Sequence, residues 1–332
     1  MNAQHDAAGV YQGSGIPHDG IERLPPPPPW RTFDGGPPVF IPDQSAGDFG
    51  ELQLQRARSY LPDPGAVEMI NAALLLRRPL LVTGPPGGGK SSLAYSIAHE
   101  LKLGPVLRWP VTRASTLRSG LYDYDALGRM QEANLRVGRE EGLEVGSFIR
   151  LGPLGTALLP TSRPRVLLID DFDQSDFDLP SELLSVLEEG QFEMPELARE
   201  SSTKPEAAVV TADGWGVSVY RGRVRCRAFP VIVITSSGER EFPPRFLRRC
   251  LPLALASPGR ARIESIVAAH LGEDLLERSR PAIEEFLDRH ERGDVSTDQL
   301  LNAVFLVTSW GTSDGGGLAS HVMTSWEADF RE

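Results

Sequence analysis

Short apolar runs alternate with amphipathic stretches through the middle of this chain of 332 residues. Runs of this length predict strands buried on both faces, and the stretches between them predict helices that cover a parallel sheet. Residues 209–229 instead alternate around Asp213 and Gly214, which predicts a β-hairpin. The predicted strands are 79–83, one near Val106, 166–169 and 231–234, and the predicted helices are 66–76, 91–101 and 179–187, the last stopped by Gly190.

The two ends of the chain follow other patterns. After Leu255 the spacing of apolar residues is helical over residues 260–271, 282–289 and 297–309, which predicts a small all-helical domain over residues 256–332. The first 50 residues show no such period and hold 8 Gly and 9 Pro, so residues 1–55 are predicted to form a linker-like arm. The prolines 25–29 favour a polyproline spacer over a dedicated ligand motif, and the aromatic residues Trp30, Phe33 and Phe40 are candidate anchors on the body or on a neighbouring subunit. Residues 56–255 form the predicted α/β core.

Composition and charge exclude several classes of protein. The formal net charge is −11, which argues against a general nucleic-acid binder. No apolar run is long enough to cross a membrane, and Met1 to Gly20 do not resemble a secretory signal. Two cysteines, Cys226 and Cys250, cannot build a disulfide framework, and no Cys/His cluster has zinc spacing. We therefore expect a cytoplasmic protein with reduced thiols.

The strongest chemical signal follows the first predicted strand and precedes a predicted helix. It fits the pattern G-x-x-x-x-G-K-[ST], in which backbone amides and a helix N-terminus hold phosphate oxygens. Lys90 would reach the β- and γ-phosphates, and the hydroxyl of Ser91 would bind Mg²⁺. The predicted nucleotide-binding residues are Gly84, Pro85, Pro86, Gly87, Gly88, Gly89, Lys90, Ser91 and Ser92.

Three further polar groups follow later elements. Asp170 ends the predicted strand 166–169, at the edge where open α/β sheets bind ligands, and is a candidate Mg²⁺ ligand. Asp171 is a candidate to orient the attacking water, whereas the acidic residues at 173, 176 and 178 favour a solvated loop. One of the polar residues 235–237 would lie beside Asp170 if the two strands are neighbours. The arginines at 248 and 249 suit the stabilisation of transferring phosphate charge.

Taken in this order, the motifs resemble those of AAA+ ATPases, and within them the MoxR-like group. The resemblance extends from about Tyr60 to Leu255. Besides the phosphate loop and the acidic strand, it rests on the segments RPLLVT at 78–83, LGPLG at 151–155, LEEGQFEMPEL at 187–197 and GEREFP at 238–243. The C-terminal helices fit an AAA+ lid by position more than by motif.

The resemblance implies a P-loop α/β core with a parallel five-stranded sheet, a helical lid, Mg²⁺-dependent ATP hydrolysis and assembly into a ring, commonly of six subunits. Asp170 and Asp171 correspond to the Walker B pair, and Ser237 to sensor 1. Arg249 (or Arg248) corresponds to the arginine finger that reaches the ATP of a neighbour. Members of the group are described as chaperone-like remodelers that work with von Willebrand factor A partners, some of them in bacterial conflict systems.

Three positions depart from the family pattern. Asp171 stands where Glu is usual, Ser237 where Asn is usual, and Asp298 near the place of a lid arginine. Each change moves or removes a polar group at the γ-phosphate, so we expect nucleotide binding to survive and turnover to be slow. The alternative function is a nucleotide-gated scaffold with slow or no hydrolysis, and a small-molecule kinase explains fewer features. The hairpin 209–229 and the charged stretch 113–146 are either pore or partner elements or plain surface excursions.

Overall fold

The fold was analysed in a computed structural model of the chain. The structure describes residues 9–40, 48–58, 60, 62–135, 144–256, 259–271, 279–280, 283–284, 286–287 and 297–310. The strands are β1 Leu80–Thr83, β2 Leu107–Pro110, β3 Tyr122–Tyr124, β4 Ile149–Leu151, β5 Val166–Asp170, β6 Gln191–Glu193, β7 Glu206–Val210, β8 Gly216–Tyr220, β9 Arg223–Arg225, β10 Val231–Ser236 and β11 Leu251–Ala254.

In the described part of the chain, eleven α-helices have complete bounds, residues 279–280, 283–284 and 286–287 are helical as well, and four 3₁₀ segments are short. The α-helices are α1 Asp48–Arg58, α2 Pro64–Leu76, α3 Lys90–Glu100, α4 Leu117–Leu121, α5 Ala126–Leu135, α6 Pro153–Ala157, α7 Leu179–Glu189, α8 Pro195–Glu200, α9 Pro244–Leu247, α10 Arg260–Leu271 and α11 Thr297–Trp310. The 3₁₀ segments are Gly20–Arg23, Pro29–Arg31, Val145–Phe148 and Phe172–Gln174.

The main sheet has five strands in the order β11-β1-β10-β5-β2, and every neighbouring pair is parallel. All five residues of β5 are buried, as expected for a strand covered on both faces. Alternate β5 residues enter two different apolar clusters, Val166 and Leu168 on one face and Leu167 and Ile169 on the other. The predicted parallel sheet between helices is therefore confirmed.

Local signals explain where the flanking helices begin and end. The Asp63 carboxylate accepts a hydrogen bond from the Ala66 amide (2.7 Å) and caps α2, whose first residue is Pro64. Arg77 ends α2 in the left-handed conformation with φ of 53°. Gly190 ends α7 in the same way (φ 62°), as the sequence predicts.

A second, six-stranded sheet in the order β3-β4-β7-β8-β9-β6 lies outside the main sheet. Its antiparallel pair β7–β8 turns at Asp213 and Gly214, as the sequence predicts, but the hairpin covers residues 206–220 rather than the predicted 209–229. The other four strands have only three residues each, too few to show a period in the sequence. The charged stretch 113–146 contributes β3 and the helices α4 and α5 in its described part, so it is a structured excursion rather than a plain loop.

The described part of the N-terminal arm differs from the predicted linker, because residues 9–40 pack on the body. Tyr11 is fully buried in the cluster beneath α3, and its hydroxyl bonds the Ser96 hydroxyl (2.8 Å). The fully buried carboxylate of Glu100, the last residue of α3, accepts hydrogen bonds from the backbone amides of residues 12, 13 and 15. A buried carboxylate is costly without donors, so these amides tie the arm to the helix.

The C-terminal region is helical in its described part. Helices α10 and α11 match the predicted bounds closely, and apolar residues from both enter a small separate cluster with Ile283 and Phe286. In the sequence, Ser296 and Gln299 have the form of a capping box and Pro281 fits the first position of a helix, but Ser296 and Pro281 lie outside the described residues. No helix in the described ranges is long and apolar enough to cross a membrane.

Candidate nucleotide site

The predicted phosphate loop connects β1 to the N-terminus of α3. Three of its glycines, Gly84, Gly87 and Gly89, have a positive φ that other residues rarely adopt. Gly84 has a φ of +150°, and a Cβ there would meet the Leu255 carbonyl oxygen at 2.5 Å. Gly89 has a φ of +84° at the position just before α3, where a Cβ would press on the Tyr60 ring at 3.2 Å. The loop therefore turns tightly and presents the start of a helix, which is the geometry that binds phosphate.

Lys90 is the first residue of α3 and is only 8% exposed. Its Nζ donates hydrogen bonds to the carbonyl oxygens of Gly84 (2.8 Å) and Pro85 (2.9 Å). Burial lowers the pKa of Lys90, and the nearby carboxylates of Asp171, Asp173 and Asp170 oppose that shift. The ammonium group is thus held inside the loop by main-chain carbonyls, which phosphate oxygens can replace as acceptors.

Asp170, at the end of β5, connects three neighbouring elements through its carboxylate. Oδ1 accepts hydrogen bonds from the hydroxyls of Ser91 (2.7 Å) and Thr235 (2.8 Å). Oδ2 accepts two from the Arg108 guanidinium, from Nε (2.9 Å) and from Nη2 (2.7 Å). Burial alone would raise the pKa of Asp170, but these hydrogen bonds outweigh it and hold the pKa below its usual range.

The donor set around Asp170 fits a Mg²⁺ ion. Ser91 and Asp170 supply a hydroxyl and a carboxylate oxygen 2.7 Å apart, beside the phosphate loop. Mg²⁺ is held in such sites by one or two oxygen side chains together with substrate phosphates, rather than by an all-protein cage. No group of three or more His, Cys, Asp and Glu side chains able to hold a metal occurs among the described residues. The predicted roles of Ser91 and Asp170 toward the metal stay predictions.

Asp171, the predicted water-orienting residue, has a left-handed backbone with φ of 56° and ψ of 48°. A non-glycine residue rarely adopts this conformation. Its amide donates to the Thr235 hydroxyl (2.9 Å), which holds the turn after β5. Burial, followed by the charges of Asp170 and Asp173, raises the pKa of the Asp171 carboxyl. The side chain is exposed at the same edge of the sheet as the phosphate loop.

Thr235, rather than Ser237, supplies the hydroxyl that reaches the site. The register of β10 on β5 pairs Ile234 with Ile169, so Thr235 comes level with Asp170. Ser237 lies one residue beyond β10, and its backbone amide donates to Asp173 Oδ2 (2.9 Å). The sequence places residues 235–237 together after the predicted strand 231–234, and only the strand register shows that Thr235 is the one level with Asp170. The sensor 1 role that the resemblance implies for Ser237 stays a prediction.

Two further residues were not anticipated. Asp173 was grouped with a solvated loop, yet it is buried (6% exposed) and accepts the amides of Ser237 and Glu239, so it supports the turn after β10. Asp176 and Asp178 are exposed, as expected. Nothing in the sequence marks Arg108, on the edge strand β2, as a site residue. It reaches Asp170 only because β2 pairs with β5.

The two predicted finger arginines lie at the opposite edge of the sheet from the phosphate loop. Arg248 and Arg249 are exposed and precede β11, which runs in register beside β1 from Leu251 against Leu80. The phosphate loop begins where β1 ends, so the length of the strand pair, about 10 Å, separates the two. Arg249 Nη2 contacts Glu188 Oε1 at 2.5 Å.

The remaining predicted residue, Asp298, is in α11, and its side chain lies outside what the structure describes. In the described part of the chain, then, Lys90, Ser91, Asp170 and Asp171 meet at one edge of the sheet. The finger arginines do not meet them within one chain.

Comparison with known proteins identifies one family. The sequence model of one family, described as AAA domain (dynein-related subfamily), matches residues 79–250. Among similar solved structures is NtrX from Brucella abortus, solved in complex with ADP, at 15% sequence identity and a TM-score of 0.40. That similarity covers 85% of this chain and 55% of the NtrX chain, so this chain spans little more than half of that protein. No curated protein sequence matches the chain.

Proposed function

Since the chain belongs to the AAA domain family, dynein-related subfamily, with more than half of its length matched, we propose that it is an ATPase of MoxR-like type. In this proposal it binds and hydrolyses Mg-ATP at the interfaces of a ring of subunits, commonly six, and uses the cycle to remodel or activate a partner protein. It works in the cytoplasm, where the two free cysteines stay reduced.

The observation that carries the proposal is the hydrogen-bonded set of Ser91, Asp170 and Thr235 beside Lys90. Three elements, α3, β5 and β10, deliver these side chains to one edge of the parallel sheet. Ligands of open α/β sheets bind at this edge. The amides of the loop and the first turn of α3, residues 84–92, would hold the phosphates, and Lys90 would leave its carbonyl partners for their oxygens.

In hydrolysis, Ser91 and Asp170 would hold the metal, which neutralises charge on the phosphates and polarises them. Asp171 would accept a proton from the attacking water or orient it, and its raised pKa makes it a better base than an ordinary aspartate. Thr235 would position both carboxylates, since it donates to Asp170 and accepts from the Asp171 amide. Ser237 would act as the predicted sensor through its backbone, because its amide bonds Asp173 in the loop after β5.

The position of Arg248 and Arg249 supports a site shared between subunits. Because both lie at the far edge of the sheet, they are available to the nucleotide of a neighbouring subunit and not to their own. They line a groove of about 420 Å³ together with Arg78 and Trp30, which we call the finger groove. Trp30 is 78% exposed, and large exposed aromatic side chains are typical of protein interfaces.

For the client we propose a protein, which a von Willebrand factor A-type partner delivers or presents, in a chaperone-like role that extends to bacterial conflict systems. The second sheet offers a surface for such contacts, with Trp215 and Tyr220 exposed on its hairpin. No part of this proposal involves a membrane or nucleic acid.

Two observations favour the second candidate, a nucleotide-gated scaffold with slow or no hydrolysis. The Arg108 guanidinium donates two hydrogen bonds to the Asp170 carboxylate, and its positive charge would oppose a divalent ion there. Asp171 is one methylene shorter than the usual glutamate and is held in a left-handed turn. Both features reduce the rate of the chemical step without preventing nucleotide binding.

A binding assay and a turnover assay test the proposal together. We expect a fluorescent ATP analogue to bind the wild-type protein and to lose most of its affinity for Lys90→Ala. The matched control Lys102→Ala removes an exposed lysine just beyond α3 and should bind normally. Wild-type affinity in Lys90→Ala would refute the phosphate-loop assignment. Brisk, partner-stimulated phosphate release would exclude the scaffold, and binding without release would favour it.

A further inference from the structure

A second cavity, of about 480 Å³, lies under the docked arm and away from the phosphate loop. Arm residues Ile21, Leu24 and Phe33 form one wall, and Leu74 and Phe229 form part of the other. Arg78, Pro164 and Val231 place it at the edge where strands β1, β5 and β10 begin. We call this space the arm cavity. Its volume lies in the range of roughly 300–1,000 Å³ that is typical of small-molecule sites.

The arm cavity carries a strong local excess of positive charge. Five arginines line it, and one acidic residue, Glu22, which gives a formal charge of 5 − 1 = +4 in a chain of net charge −11. A local excess opposite in sign to the whole protein focuses the potential and attracts anions. The arginines are Arg31, Arg77, Arg78, Arg163 and Arg227.

Most of this charge has no carboxylate partner among the residues that the structure describes. Arg163 bonds Glu22 (2.6 Å), but Arg31 donates only to main-chain carbonyls, those of Arg77 and of the last turn of α7. Arg77 and Arg78 likewise bond only carbonyl oxygens. Carbonyls satisfy the donors without neutralising the charge.

Burial is the second sign of an uncompensated charge. It lowers the pKa of Arg31 and of Arg77, which is the response of a cation removed from water; at Arg31 the charge of Glu188 opposes this shift without cancelling it. Both guanidinium groups stay protonated at neutral pH, since arginine does not lose its proton in proteins. An anion in the arm cavity would supply the missing charge and relieve the desolvation cost.

We propose that the arm cavity binds an organic anion of about mononucleotide size, with an aromatic or apolar body and a phosphate or similar anionic group. The apolar walls of Leu24, Phe33 and Leu74 would take the body, and Arg227, with its neighbours, would take the anionic group. Because one wall belongs to the arm and the other to the body, the ligand would also hold the arm in its docked position. The site is independent of the phosphate loop.

Binding of a defined probe tests this proposal in the Lys90→Ala protein, in which the phosphate loop is disabled. The probe is 8-anilinonaphthalene-1-sulfonate, an aromatic anion, and its uncharged counterpart is N-phenyl-1-naphthylamine; calorimetry measures both. We expect one site per chain for the sulfonate and at least tenfold weaker binding of the neutral compound, because a charge-assisted hydrogen bond is lost.

Two variants locate the probe. Arg227→Gln, at an exposed position that should tolerate the change, should weaken sulfonate binding about tenfold, and Leu24→Trp should block it by filling the cavity. The matched control Arg223→Gln removes a guanidinium from β9, outside the cavity, and should bind as the parent does.

Three outcomes would overturn the proposal: no saturable sulfonate binding, equal affinity for the neutral compound, or unchanged affinity in both cavity variants. Circular dichroism of each variant shows whether it is folded, and hydrogen exchange at residues 9–40 gives a second readout. We expect the sulfonate to slow exchange there in the parent protein and not in Leu24→Trp.

Discussion

Replacing Arg108 by methionine should tighten metal binding at the candidate site. Arg108 places two N–H donors on Oδ2 of Asp170, at 2.9 and 2.7 Å, and so its positive charge would compete with a divalent ion for that carboxylate. Methionine keeps a long, flexible stem on β2 but removes both the donors and the positive charge. The competition between the guanidinium and the divalent ion then disappears.

The geometry sets the size of the effect. A hydrogen bond to a charged group contributes about 1.5–3 kcal/mol when it is well made. The Asp170 side chain is 4% exposed, but that of Arg108 is 46% exposed, so solvent screens the pair. The screened contribution of the two hydrogen bonds is therefore about 1–2 kcal/mol. That range corresponds to about a fivefold to thirtyfold gain in metal affinity.

Electron paramagnetic resonance with Mn²⁺ in place of Mg²⁺ measures this gain, because the signal of free Mn²⁺ falls as the ion binds the ADP-loaded protein. The matched control is Arg118→Met, which breaks an arginine–carboxylate contact of the same 2.7 Å length with Glu196. The control should bind Mn²⁺ as the wild type does. Unchanged or weaker binding in Arg108→Met would refute the idea that Arg108 competes with the metal.

Three further changes probe other parts of the structure. Thr235→Val should lower ATP turnover about 10- to 100-fold, because the Asp170 carboxylate loses the hydroxyl that orients it. A fluorescent nucleotide should still bind, and equal losses in binding and turnover would contradict this prediction. Tyr11→Ala should lower the free energy of unfolding in urea by roughly 3–5 kcal/mol, whereas Ile16→Ala, at an exposed position of the arm, should lower it by under about 0.5 kcal/mol. A small loss in both variants would mean that the arm is not docked. Burial raises the pKa of Cys226 and Cys250 to about 12 from 9.0, so neither thiol should react with a disulfide reagent at pH 8 until urea unfolds the chain. Since both folded pKa values exceed the unfolded ones, the free energy of unfolding should hold below pH 9 and fall as the pH rises toward 12.

The parts of the fold that follow local patterns could be predicted from the sequence. The apolar runs 166–169 and 231–234 appear as parallel neighbours, and the glycine pattern 84–89 appears as a tight turn before a helix. Each of these features is marked by a few consecutive residues, because buried strands and phosphate loops are defined by local composition.

The parts that depend on long-range pairing could not be predicted. Choosing Thr235 over Ser237 requires the register of β10 on β5, and Arg108 reaches Asp170 only because β2 pairs with β5. The arm has the composition of a linker, yet it docks because Glu100, far along the chain, is buried and accepts its amides. The composition of the arm therefore cannot predict its docking, because the residue that binds the arm lies elsewhere in the sequence.

Mixing two inactive variants tests the proposal that ATP is hydrolysed at a site shared between subunits. Arg249→Ala keeps its phosphate loop, and Lys90→Ala keeps its arginine, so a mixed ring contains interfaces at which both groups are intact. We predict that each variant alone has little ATPase activity and that a mixture regains part of it, with a maximum at an intermediate ratio. Absence of recovery at every ratio, with mixed rings present by mass measurement, would contradict a shared site.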